Sequence, residues 1–290
     1  MREFVKKTIW FALLLIVPMA TIHVVCYFQK EKEYSKDGIY VWGDSQIYQG
    51  LDLSILSSGL SKQVLSAAGH ASAVYDFLVS IEHIPDNSTC IIEFPEMAFF
   101  RRPWLDFNRS GLEFGCLWAM IKTGTPVQEC IRIFILNRNH LFSYKNVFSS
   151  KQALFPYASE LKYTQPLSRF WDAFNNKTEY SDWRIATYEY GISQLIDKGC
   201  RIVFIQFPFE KQVEQYAKQS VNRRISEEVR KRVIDGLSIV PDIIALPNDS
   251  LQMYDLSHLN AVGARHLTLE ITEAMLHDSV CNRFFIVNVD

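Results

Sequence analysis

Tyr40-Val41-Trp42-Gly43-Asp44-Ser45-Gln46 (YVWGDSQ) decides how this chain is read. The residues up to Trp42 form a short apolar run, as a strand covered on both faces must, and Gly43-Asp44 then turns the chain sharply. The turn presents Ser45 at the carboxyl end of the strand. In an open parallel sheet that end is where loops converge and ligands bind, so Ser45 is the candidate nucleophile.

A serine hydroxyl is a weak nucleophile at neutral pH and needs an imidazole to take its proton and an acidic group to orient that imidazole. Far along the chain, Asp255-Leu256-Ser257-His258-Leu259-Asn260 offers both within one turn. The serine elbow of α/β-hydrolases reads Gly-x-Ser-x-Gly and does not match Gly43-Asp44-Ser45-Gln46-Ile47.

Taken together, the Gly-Asp-Ser block and the Asp-x-x-His block resemble the SGNH (GDSL-type) hydrolase superfamily. The resemblance implies a three-layer, flavodoxin-like α/β domain working through an acyl-serine. Ser45 would be the nucleophile, His258 the general base and then acid, and Asp255 the group that orients the imidazole. It further implies oxyanion donors at the backbone N–H of Ser45 and at a glycine after the second strand, the position of Gly69. The family adds an asparagine side chain after its third strand, where this chain reads Glu93-Phe94-Pro95-Glu96-Met97. An ionised Glu96 aimed inward would oppose an oxyanion, since a carboxylate cannot donate. Singly, Ser45 and Asp255 also suit helix caps, His258 a loop, and Gly69 a turn before a helix; the pairing of the blocks carries the assignment. Asp44 suits the shaping of the turn, Asn260 the cap of the last helix, and His70 a structural role.

Around these blocks the hydrophobic periodicity predicts strands at 38–42, 63–66, 89–94, 201–206 and 242–246. Helices are predicted at 51–60, 70–84, 111–122, 127–142, 183–198, 210–236 and 261–276. Strands alternating with helices mean a parallel sheet between helical layers. Residues 96–181 are expected to form an insertion over the active face. Its Trp104, Trp118 and Trp171 could stack on sugars, although packing is the commoner use of aromatics. Arg223, Arg224, Arg230, Lys231 and Arg232 read as a solvated basic face.

The chain has 290 residues, 48% of them hydrophobic, enough for one domain with a sizeable core. A net charge of −2 argues against a nucleic-acid partner. Residues 8–28 contain no Asp, Glu, Lys or Arg, and a helix of that length matches a bilayer core of about 30 Å. This segment is expected to be an uncleaved transmembrane anchor; a cleaved signal peptide is the alternative, but no small-x-small site precedes Cys26. Residues 1–7 then form a short basic tail, 29–37 a charged juxtamembrane linker, and 38–290 a domain displayed outside the cytoplasm.

Besides Cys26, the cysteines are Cys90, Cys116, Cys130, Cys200 and Cys281, an odd set without metal-ligand spacing. Buried thiols are expected, with a Cys116–Cys130 disulfide left open. The Asn-x-Ser/Thr triplets at Asn87, Asn108, Asn176 and Asn248 point to surface loops. No cofactor or metal is called for. For its substrate, the resemblance implies an acylated envelope glycan or another ester. It also implies esterase or O-acetyltransferase activity beside the bilayer, with a multi-pass membrane acyltransferase as partner. A glycan-binding or envelope-assembly protein that has kept the fold and lost catalysis is the rival expectation.

Overall fold

Short apolar runs bury best when covered on both faces, and this chain arranges six of them as one parallel sheet. In chain order the elements of this computed structural model are β1 (Ile39–Trp42), α1 (Ser45–Gly50), α2 (Leu53–Leu60), β2 (Val64–Ser66), α3 (Val74–His83), β3 (Thr89–Glu93), α4 (Phe114–Lys122) and α5 (Val127–Asn137). There follow α6 (Asp182–Asp197), β4 (Arg201–Gln206), α7 (Lys211–Ala217), α8 (Val221–Leu237), β5 (Val240–Leu246), α9 (Ala261–His277) and β6 (Arg283–Val289). The structure describes Tyr34 and residues 37–289 apart from 70–73, 100–112, 138–146, 151–153, 155–181, 247–251 and 278–281, with Glu3, Lys6, Lys7, Trp10, Leu14, Val17 and Thr21 ahead of them.

The strand order is β2-β1-β3-β4-β6-β5 and every pairing is parallel. Side chains alternate across the sheet with the period of two that a strand imposes. Ile39 and Val41 of β1, Val203 and Ile205 of β4, and Phe285 and Val287 of β6 pack against α2 and α9. Their neighbours Tyr40, Trp42, Ile202, Phe204 and Phe284 pack on the opposite face against α3, α6 and α8. The result is an α/β sandwich of flavodoxin-like layering.

The predicted strands and helices recur with shifts of a few residues at their ends, and three differences are larger. The predicted helix 210–236 is two helices, because Ser220 breaks it: its Oγ accepts the Arg223 N–H at 3.0 Å and caps α8. A six-residue helix, α1, starts at Ser45 itself, capped by Asp44 Oδ1 accepting the Gln46 N–H at 2.7 Å. The third is β6, a strand the periodicity reading lacked, which separates β4 from β5. Its Phe284-Phe285-Ile286-Val287 run is the signal that was there to read.

Of the expected insertion, residues 96–99, 113–137, 147–150 and 154 are described; in it α4 packs against α3 and α6, α5 packs against α4, and Val147 and Phe148 join the same core cluster. Cys116, Met120, Cys130 and Ile133 join that core cluster, so this part thickens the helical face. Cys90, Cys116, Cys130 and Cys200 are buried free thiols, and the Cys116–Cys130 bond is not formed. Among the described residues no helix is long and apolar enough to cross a membrane. Most of 8–28 lies outside the described residues, as do Cys26, His70, Trp104, Asn108, Trp171, Asn176, Asn248 and Cys281.

Phe284 is fully buried, stacked 5.3 Å from Phe204 and tilted 5.7 Å from Phe94. Phe284→Ala is therefore expected to cost about 3–5 kcal/mol, measured as a shift in the denaturant midpoint at an unchanged slope.

Candidate active site

The parallel sheet brings the carboxyl ends of β1 and β3 side by side, and the turn after β1 sits directly on β3. A Cβ at Gly43 would overlap both Ile47 Cγ2 and the Glu93 side chain, so only glycine lets the backbone approach this closely. Asp44 then caps α1, and Ser45 opens it, half-buried at the sheet's edge of the loops.

The second block folds as a loop closed at its base. Asn260 N–H donates to the Gln252 carbonyl at 2.9 Å, Tyr254 N–H donates to the His258 carbonyl at 2.8 Å, and Met253 bridges Leu259. Asn260, fully buried, caps α9 as expected: its Oδ1 accepts from Val262 N–H at 2.9 Å and Gly263 N–H at 3.1 Å. At the loop tip Leu256 packs with Phe209, Val213 and Ala217, and its carbonyl accepts the Glu210 N–H at 2.8 Å.

These two scaffolds bring Ser45, His258 and Asp255 together. His258 Nε2 lies 2.9 Å from Ser45 Oγ, and His258 Nδ1 lies 2.9 Å from both Asp255 carboxylate oxygens. The carboxylate is an acceptor only, so Nδ1 carries the proton toward it, leaving the Nε2 lone pair for the serine hydroxyl. Asp255 Oδ1 also accepts the N–H groups of Ser257 at 2.8 Å and His258 at 2.9 Å. Burial alone would raise the Asp255 carboxyl, but the ring hydrogen bond and charge of His258 together with these two amides hold it below the usual carboxylate range. Gln46, next to the serine, ties the scaffolds directly: its Nε2 donates to the Ser257 carbonyl at 2.8 Å. The sequence reading missed this clamp, since a glutamine after a Gly-Asp-Ser turn carries no distinguishing signal.

Two other expected features differ. Gly69 N–H does not point out as a free oxyanion donor; it donates to the Gly43 carbonyl at 3.2 Å, extending the β1–β2 ladder after the Ala67 N–H to Val41 carbonyl bond of 2.8 Å. The basic stretch is not a uniformly solvated face either. Lys231 and Arg232 are exposed, but Arg223 is buried, with its guanidinium 3.0 Å from each Glu214 oxygen and 5.8 Å from the centre of the Phe209 ring. Arg230 donates to Gln206 Oε1 at 2.6 Å, at the end of β4.

The same Arg223 answers the question raised by Glu96. Its Nε stands 2.8 Å from Glu96 Oε1 without the alignment of a hydrogen bond, so the carboxyl faces a cation. Burial pushes the Glu96 carboxyl up and Arg223 draws it back, leaving it at about 7. Trp118, one of the three candidate sugar platforms, is exposed on α4 with Lys122 Nζ 5.9 Å from its ring centre. Among the described residues no cluster of His, Cys, Asp and Glu could hold a metal.

No protein-family model matches this chain, and no curated protein matches it.

Glu96 titrates near 7 in the folded chain against about 4.5 when solvated, so its contribution to stability is full below pH 4.5 and lost as pH rises through 7. Thermal melting should show Glu96→Gln gaining on the wild type between pH 5 and pH 8, by at most about 1.4 kcal/mol per pH unit. A difference that does not change with pH would show that Arg223 keeps Glu96 ionised throughout.

Proposed function

We propose that this chain is a membrane-anchored serine acyl-esterase or O-acetyltransferase of SGNH type, acting on envelope polysaccharide outside the cytoplasm. The observation that carries the catalytic part is the continuous line of contacts from Ser45 Oγ through His258 to Asp255. Ser45 Oγ attacks the acyl carbonyl as its proton passes to His258 Nε2. The tetrahedral intermediate collapses, and His258 returns the proton to the departing alcohol oxygen, leaving the acyl group on Ser45. Water or a sugar hydroxyl then gives its proton to His258 and attacks the acyl-serine, and the new tetrahedral intermediate expels Ser45 Oγ, which takes that proton back from His258; hydrolysis and transfer therefore share every residue and differ only in the acceptor. Ser45 N–H, among the unpaired donors at the start of a helix, meets the oxyanion.

The polysaccharide substrate, the anchor in 8–28 and the multi-pass acyltransferase partner rest on the resemblance of the Gly43-Asp44-Ser45 and Asp255-x-x-His258 blocks alone. A second reading draws on the oxyanion side. With Gly69 N–H donated to Gly43 and a glutamate where the family has asparagine, the donors are few, which supports a glycan-binding or assembly protein that no longer turns over.

Labelling of the full chain with a fluorophosphonate separates the two. Wild type should label, Ser45→Ala and His258→Ala should not, and Asp255→Asn should label on the order of 10⁴-fold more slowly. A folded wild type that does not label at any pH from 6 to 9 would favour the second reading.

A further inference from the structure

One buried carboxyl near the site has no role in the proton transfers described above. Glu93 ends β3, is 1% exposed, and lies under the turn that carries Ser45. Its Oε2 accepts the Asp44 N–H at 2.6 Å. Its side chain further shares a hydrogen bond with the Asp44 side chain, which in turn caps α1 through Gln46 N–H. Gly43 is the residue that lets this carboxyl come so close.

We propose that Glu93 is a positioning residue for Ser45: its sealed carboxyl holds the Asp44 amide just before the serine, and Asp44 in turn holds the Gln46 amide just after it, which together aim Oγ at His258. The inference rests on the reading of Ser45 as nucleophile and goes beyond it, because no group of the triad touches Glu93. The charge state follows from the surroundings. From the β1–α1 turn it meets the Asp44 carboxylate and the Asp44 amide. From α6 the Tyr188 hydroxyl donates to its main-chain carbonyl at 3.3 Å, and from β4 its register partner is Ile205. Glu96, three residues on, is turned to Arg223. Among the described residues Glu93 makes no ion pair, and burial, and after it the Asp44 charge, push its carboxyl well above the usual carboxylate range. When protonated, Glu93 accepts the Asp44 amide and donates its O–H to Asp44, so the pair carries one proton and one charge. Loss of that proton would set two carboxylates against each other beneath the serine and loosen the turn.

The side chain is therefore a proton-dependent brace, and its loss reads differently from simple destabilisation. In the full chain, fluorophosphonate labelling rates from pH 6 to 10 are compared for wild type, Glu93→Gln and Glu93→Leu, alongside melting and hydrogen exchange of the peptide spanning 41–50. Glutamine still accepts the amide and still donates, so Glu93→Gln should keep the neutral-pH rate within about tenfold and hold that rate at any alkaline pH where the wild type falls off. Leucine removes the brace, and a displaced nucleophile should label about a hundredfold more slowly while 41–50 exchanges faster. Wild-type labelling and exchange in Glu93→Leu, or a Glu93→Gln as slow as Glu93→Leu, overturns the proposal. If Glu93→Leu does not fold, the alkaline limb of Glu93→Gln decides: its persistence overturns the proposal and its absence supports it. If the wild type does not label, the nucleophile reading fails by itself. Exchange in 41–50 then decides whether Glu93 holds the turn, faster in Glu93→Leu supporting it and unchanged overturning it.

Discussion

A single contact, Ser45 Oγ to His258 Nε2 at 2.9 Å, joins residues 213 positions apart, and every large feature of the fold bears on it. A hydrogen bond of this kind tolerates a few tenths of an ångström, far less than two independent loops would hold. The chain meets that demand by rooting both partners in the rigid body. Ser45 is fixed by β1 and by the seat of Gly43 on β3. His258 is fixed by a loop closed at its base by Gln252 and Asn260 and pinned at its tip by Leu256 against α7. Gln46 then crosses from one scaffold to the other.

The same end of the sheet gathers an unusual amount of buried charge. Glu93, Glu96, Arg223 and Asp255 are all under 9% exposed, and each would be costly alone. They are resolved in three different ways. Asp255 is ionised by its hydrogen bonds from His258 and two amides, and Glu96 and Glu214 share the guanidinium of Arg223. Glu93, with no cation to meet it among the described residues, is raised by burial and by Asp44. Such groups near Ser45 tie the local structure to protonation to a degree that an apolar support would not.

Much of this was legible in the sequence because it depends on period and spacing. Five of the six strands announce themselves as short apolar runs, and the two blocks that meet at the site are short, local motifs whose own hydrogen bonds set their shape. What escaped depends on tertiary context. Ser220 reads as one more polar residue in a charged helix until its hydroxyl is seen to cap the second half. Arg223 and Arg230 look like solvent-facing charges because periodicity does not reveal what a neighbouring loop will place against them. Gly69 was assigned by position, whereas its amide follows the ladder of β1. Glu93 carried a weak signal, a lone acid closing the apolar run Thr89 to Glu93, which a reading for strands passes over as an end marker.

The place of β6 bears on how the molecule comes to be made. Among the described residues β5 pairs with no strand but β6, and β6 in turn joins it to β4. During vectorial synthesis β1 to β4 can therefore assemble with their helices as an early unit, while β5 waits for residues 283–289 to take the slot beside β4. The loop bearing Asp255 and His258 lies between those two strands in the chain. The turn that carries Ser45 can thus be built first, and the imidazole of His258 is brought to it by a later part of the chain.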